Sequence, residues 1–293
     1  MAYIQVAQDI NLFVQDWGSG KPVVFIHGWP LNHKCFEYQF TQLPQNGIRC
    51  IGIDLRGFGD SDKPWGDYNY DIFADDILKV LRQLNLDDVT LVGHSMGGAI
   101  AIRYLVRHSN ERISKAVLVS PAAPRFTQIK GYPYGFTKEV CNQFIDLCYT
   151  DRPQLLENFG KIFFYKESDI SPKFAGWFHN LGMDASPHAT AMTLMNLRDT
   201  DLREEMALLK VPTFIIHGTE DRVCPFQFAE VLHKGIKGST LIPYKENGHA
   251  PFYDENLKFN QDLIKIINNQ YTLREKKVST LPFERKIKNL TKP

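Results

Sequence analysis

The 293-residue chain predicts an α/β fold built on a largely parallel sheet, and three observations carry that expectation. Short runs rich in β-branched and aromatic residues recur along it, each bounded by Gly, Pro or Asp. Segments long enough for helices, with apolar residues at 3.6-type spacing, lie between most of these runs. Strand and helix therefore alternate, which implies crossover connections and a sheet covered by helices on both faces.

The first two strands, 3–6 and 11–16, alternate in polarity and are only a few residues apart, so they read as an antiparallel hairpin at one edge of the sheet. Residues 23–26, 50–54, 90–92, 116–119, 213–216 and 240–243 read as buried strands, bringing the sheet to eight. Ile72, Ile77, Val80, Leu81 and Leu84 mark one amphipathic helix, and Ile100, Ala101, Tyr104 and Leu105 another. The alternation stops after Ser120-Pro121 and resumes near Val211-Pro212, and the residues between have helical patterning without a convincing buried strand. The expected organisation is a core of 1–121 and 207–271, a helical cap or lid inserted at 122–206, and a basic tail at 272–293. Twelve aromatics fall within residues 131–178. A minority of them should line a pocket, and the rest should pack the inserted helices together.

The composition, 43% hydrophobic and 23% charged, excludes collagen-like, disordered and coiled-coil classes. Thirty-four Lys and Arg against 33 Asp and Glu leave a net charge of +1, which calls for neither nucleic acid nor an anionic membrane as partner. The tail alone carries seven basic residues against Glu275 and Glu284 and is read as a solvated extension, with attachment to a polyanion or membrane surface as the other possibility. Cys35, Cys50, Cys141, Cys148 and Cys224 are odd in number and never spaced C-x-x-C, so they are read as reduced thiols. The first fifteen residues lack the pattern of a secretory signal, and no apolar run approaches the ~20 residues of a membrane span. Cytoplasmic residence is the expectation.

The chemistry centres on Gly93-His94-Ser95-Met96-Gly97, a G-x-S-x-G pattern closing an apolar strand and opening a helix. A sharp turn there exposes the Ser95 hydroxyl, and glycine on either side lets the flanking segments approach. A serine hydroxyl needs a base and an acid to orient that base. His249, on the glycine-containing loop Glu246–Phe252 between the last strand and last helix, is the candidate base. His27 and His94 read as structural, and His33, His179 and His188 as loop or lid residues. Asp221, in the loop after strand 213–216, is preferred to Glu220 as the acid. The oxyanion needs two backbone donors: the N–H of Met96, at the start of its helix, and that of Trp29, in His27-Gly28-Trp29-Pro30. Asp54-Leu55-Arg56-Gly57-Phe58-Gly59-Asp60-Ser61 reads as scaffold, with Asp54 and Arg56 tying the loop as a charge-assisted pair.

Together, HGWP, DLRGFGDS, GHSMGG, HGTEDRVCP and ENGHAPF resemble the α/β-hydrolase superfamily, and more narrowly its bacterial cofactor-free haloperoxidase and esterase branch, over about residues 3–269. The resemblance implies a Ser95–Asp221–His249 triad, oxyanion donors at Met96 and Trp29, a helical cap after the sixth strand, and chemistry needing neither metal nor haem. It also implies that the Trp29-Pro30 loop favours peroxide as an acyl acceptor. A serine at the elbow sets the chain apart from epoxide hydrolases and haloalkane dehalogenases, which attack with aspartate on this fold. The expected function is a serine carboxylesterase acting on small apolar esters, with perhydrolysis as a side activity. The alternatives are a slow ligand sensor on the same fold, or a C–C hydrolase or aminopeptidase.

Overall fold

Eight strands form a single sheet in the computed structural model, which describes residues 2–272. The strands are β1 (Ala2–Ala7), β2 (Ile10–Trp17), β3 (Lys21–Ile26), β4 (Ile48–Ile53), β5 (Val89–His94), β6 (Ile113–Val119), β7 (Thr213–Gly218) and β8 (Thr240–Tyr244). Their spatial order is β1-β2-β4-β3-β5-β6-β7-β8. β1 and β2 pair antiparallel at one edge, β2 pairs antiparallel with β4, and every later pairing is parallel. The expected tail lies outside the described residues from position 273 onward.

Alternate residues of each central strand enter different cores, as a period of two requires. Val24, Ile26, Leu91 and Leu118 pack on one face with Phe73 and Ile77 of α2 (Tyr70–Gln83), Ile100 and Tyr104 of α3 (Met96–Arg107), and Phe228 of α8 (Gln227–Gly235). Val23, Phe25, Val92 and Val117 face the opposite layer, with Phe40 of α1 (Glu37–Gln42), Phe252 of α9 (Pro251–Asp254) and Phe259 of α10 (Asn256–Ile267). Both faces are therefore dry.

Between β6 and β7 the chain leaves the sheet for four helices: α4 (Lys138–Thr150), α5 (Arg152–Phe163), α6 (Pro172–Met183) and α7 (Pro187–Asp199). Each begins at a residue whose side chain accepts a backbone N–H of the first turn (Thr137, Asp151, Ser171 and Ser186), and three carry proline just inside the start. No helix among the described residues is long and apolar enough to cross a membrane.

One local expectation is corrected. Arg56 does not pair with Asp54. It reaches α2, where Nε and Nη2 each meet an oxygen of Asp76 at 2.6 Å. Asp54 is fully buried and already satisfied: Oδ1 accepts from the His33 N–H at 2.7 Å and from His33 Nδ1 at 2.8 Å, and Oδ2 from the Asp60 N–H at 2.9 Å.

Candidate active site

Ser95 alone makes the turn between β5, buried along its whole length, and α3. Its backbone sits at φ 53° and ψ −117°, a conformation that costs a non-glycine residue about 1–3 kcal/mol. The surroundings hold it there: its N–H donates to the Val119 carbonyl, and its own carbonyl accepts from the Gly98 and Ala122 N–H groups, each at 2.9 Å. A Cβ on Gly93 would overlap the Gly97 carbonyl, and one on Gly97 would overlap that of Ile26, so both glycines are needed for close approach.

The sheet order reverses around β3 and β5, leaving a crevice at their carboxyl ends, the usual ligand position in open α/β sheets. Gly28 brings the β3 loop up to the serine; a Cβ there would lie 2.8 Å from Ser95 Cβ. The backbone N–H groups of Trp29 and Met96 donate to no carbonyl among the described residues. For Met96 this follows from its place in the first turn of α3.

Asp221 and His249 arrive on loops from the adjacent strands β7 and β8. Gly218 lets the two loops pack backbone on backbone, because a Cβ there would overlap the Asn247 and Gly248 carbonyls. Asp221 Oδ1 accepts from the Val223 and Cys224 N–H groups at 2.8 Å each, and Oδ2 lies 2.7 Å from His249 Nδ1. Since a carboxylate only accepts, the proton of this bond sits on Nδ1 and leaves the Nε2 lone pair free. Nε2 is buried and has no hydrogen-bond partner, the Ser95 hydroxyl included. His94, next to the serine in sequence, donates from Nε2 to the His249 carbonyl at 2.9 Å, and the two rings are 4.7 Å apart. The structure thus joins His249 to Asp221 directly and brings it alongside the elbow. Glu220 is exposed.

Burial pushes the Asp221 carboxyl upward, but its electrostatic attraction to His249 and hydrogen bonds from His217 and His249 outweigh it and hold the group well below the usual carboxylate range. His217 went unnoticed in the sequence. Its Nε2 lies 2.8 Å from the Cys224 carbonyl and 3.3 Å from Asp221 Oδ2, so it carries the proton and faces the same carboxylate oxygen as His249. The available signal was its place on the strand end four residues before Asp221. His27 is structural: Nε2 accepts from the Leu55 N–H, Nδ1 meets the Gly28 carbonyl, and burial lowers it to about 4. Burial also lowers His94 well below the usual imidazole range.

A cavity of about 200 Å³ opens onto Ser95. Its walls are Trp29, Val223 and residues of the insertion, including Phe136, Phe144, Phe159, Ile162 and Leu197. Of the twelve aromatics in 131–178, Phe136, Phe144 and Phe159 line it. Phe163, Phe164, Phe174 and Phe178 form a cluster over the His249 loop and Tyr253, joined to the cavity wall through the Phe159–Phe163 contact. The Trp29 indole is fixed by its Nε1–H bond to the Thr190 carbonyl at 3.0 Å and by an edge contact with Phe159. Among the described residues no cluster of three or more His, Cys, Asp or Glu is arranged to hold a metal ion.

A strand-end serine, acid and histidine on one eight-stranded sheet define an α/β hydrolase, and residues 21–256 match the family model described as alpha/beta hydrolase fold. The chain belongs to that family and is an enzyme of the α/β-hydrolase type. Within the family it lies in the haloperoxidase and esterase branch. It is 49% identical to the AB hydrolase superfamily protein YisY of Bacillus subtilis, over 91% of this chain and 99% of that protein. Its fold matches an esterase from Exiguobacterium antarcticum with a TM-score of 0.88 at 47% identity, covering 91% of this chain and 98% of that one. A bromoperoxidase from Bacillus anthracis matches with a TM-score of 0.87 at 34% identity, covering 92% and 99%.

Proposed function

We propose that this protein is a serine carboxylesterase for small, largely apolar esters, acting through an acyl-enzyme on Ser95, with perhydrolysis as a side activity. The observation that carries the reading is the Asp221–His249 pair, whose Nε2 is unpartnered and whose backbone carbonyl accepts from His94, the residue before a strained serine that opens onto an apolar cavity. Both the esterase and the bromoperoxidase likeness support it.

In this mechanism Ser95 Oγ turns towards His249, gives its proton to Nε2 and attacks the ester carbonyl. The Trp29 and Met96 N–H groups donate to the resulting oxyanion; losing one such donor typically costs about 3 kcal/mol of transition-state stabilisation. Collapse expels the alkoxide, which takes the proton from His249 and leaves as alcohol. Water, or peroxide in the side reaction, then gives a proton to His249 and attacks the acyl-enzyme; collapse breaks the bond to Ser95 Oγ, which takes that proton back from His249, and releases the carboxylic acid or peracid. Asp221 holds the imidazole tautomer and stabilises the imidazolium without taking the proton itself. No step calls on a cofactor.

On this reading residues 122–206 form a cap over a core of 1–121 and 207–271, and the aromatic wall it supplies excludes water from the acyl group. All five cysteines are free and buried, in keeping with a reducing compartment, and we place the enzyme in the cytoplasm.

Ser95→Ala should abolish turnover of p-nitrophenyl butyrate and labelling by a fluorophosphonate, while leaving the protein folded. Full esterase activity in that variant would falsify the assignment.

A further inference from the structure

Helix α5 ends at Phe163, and residue 164 leaves the helix in an extended conformation with no capping bond from its own backbone. The last carbonyls of a helix need donors from elsewhere. Here the two catalytic loops supply them. Arg222, next to the acid, donates from Nη2 to the Lys161 carbonyl at 2.8 Å and to the Phe164 carbonyl at 3.0 Å. The N–H of His249 donates to the Phe163 carbonyl at 2.8 Å. Gly248 permits the approach, since a Cβ there would lie 2.6 Å from the Tyr165 nitrogen. A cation at this end also suits the helix dipole.

The same helix meets the site in two further ways. Phe159 and Ile162 form part of the cavity wall, and Phe159 packs edge-on against Trp29 with ring centres 5.2 Å apart. Phe163 packs edge-on against the His249 ring at 5.1 Å and touches Phe159 at 5.3 Å. Cavity wall, oxyanion loop, base and acid loop therefore all bear on one short helix, whose final turn is anchored to the acid loop by Arg222.

We propose that Arg222 is a positioning residue: by capping the last carbonyls of α5 it seats that helix against the His249 loop, and it thereby couples occupancy of the acyl cavity to placement of the base. The inference rests on the serine-esterase reading. An acyl chain packed against Phe159 and Ile162 holds α5 down from the cavity side, while Arg222 holds it from the loop side. Either restraint compensates in part for loss of the other. An acetyl group offers this wall far less apolar surface than a hexanoyl chain, so its turnover leans more on Arg222.

The test is the steady-state kinetics of Arg222→Met on p-nitrophenyl acetate and hexanoate. Arg222 is exposed, so the change leaves the core intact. For acetate kcat should fall about tenfold with KM within about twofold, the size expected when charge-assisted hydrogen bonds to partly solvated carbonyls are lost. For hexanoate the fall should be at most about threefold, because the chain re-seats the helix. Arg222→Lys, which keeps a cationic donor, should restore most of the acetate rate. Hydrogen exchange supplies a readout free of activity: the His249 amide should lose protection in Arg222→Met and keep it in Arg222→Lys. An equal proportional loss on both esters, unchanged kinetics on both, or an unchanged His249 amide overturns the proposal. If the wild-type chain hydrolyses neither ester, the esterase reading fails, and exchange at His249 alone then decides whether Arg222 anchors the loop.

Discussion

The Asp221 carboxylate accepts two backbone N–H groups on one oxygen and faces His249 and His217 on the other. Asparagine in its place would present an N–H to His249 Nδ1, forcing the imidazole proton onto the nitrogen that, in the proposed mechanism, takes one from Ser95. Asp221→Asn should therefore fold normally yet lose about 10⁴-fold in kcat, measured on p-nitrophenyl butyrate. Asp254 offers a pH-dependent case on the next loop. Burial raises its carboxyl to about 6 despite bonds from the Gly248 and Tyr165 N–H groups, and the Asp221 charge adds to the rise. The folded chain then binds a proton between about pH 6 and pH 4 that the unfolded chain does not, so this group opposes folding above about pH 6 and ceases to do so near pH 4. Urea unfolding of the wild type and Asp254→Asn should show the difference shifting in favour of the wild type as pH falls from about 7 to 4; a constant difference rules this out. The proposed triad of Ser95, Asp221 and His249 is legible because each residue sits in a short motif at a strand end, where chain order and glycine spacing carry the signal. His217 and Arg222 are not. What they do depends on atoms brought together by folding, such as the carbonyls of Lys161 and Phe164, some sixty residues earlier in the chain.

At the level of elements, the β4–α2 connection is fastened by the Arg56–Asp76 pair, with side chains only 11% and 1% exposed. Burial outweighs the pairing at Asp76 and leaves its carboxyl above the usual range, which marks a pair whose desolvation cost is large. Arg56→Met would strand that charge and should cost about 3–5 kcal/mol of stability, whereas Arg56→Met with Asp76→Leu should recover most of the loss. Urea unfolding midpoints of the two variants decide it, and equal destabilisation in both would show that packing, not the unpaired charge, is what matters. The sequence suggested Asp54 for this role because it is the nearest carboxylate along the chain. Asp54 is instead held by His33 and Asp60, so Arg56 pairs with a helix twenty residues away. Strands were the most readable elements, since their runs of Val, Ile and Phe must be buried on both faces. Their ends were not, because β3 and β4 extend into polar residues such as Lys21 and Arg49 that pairing alone recruits. The inserted aromatics were legible as a group only: no periodic face separates Phe159, on the cavity wall, from Phe163, against His249.

At the scale of the molecule, the described residues, 2–272, hold eight strands, ten α-helices and every site residue discussed. Charge is divided differently. Residues 272–293 carry net +5, leaving −4 on everything before them. The body needs no counter-charge to hold it together, because its cohesion comes from two apolar layers on the sheet, and a net charge of this size on a chain this long is ordinary for a folded domain. A chain ending at Thr272 should therefore keep its melting temperature within about 2 °C and its kcat/KM for p-nitrophenyl butyrate within about twofold. The same pair of proteins tests attachment through the charge of the tail. If the tail is only a solvated extension, both should float equally poorly with phosphatidylserine vesicles at physiological salt. Salt-reversible flotation of the full chain alone would mean that these basic residues bind an anionic surface, at about 1 kcal/mol for each one that approaches it. A large drop in melting temperature on truncation would mean instead that the tail packs on the acidic body.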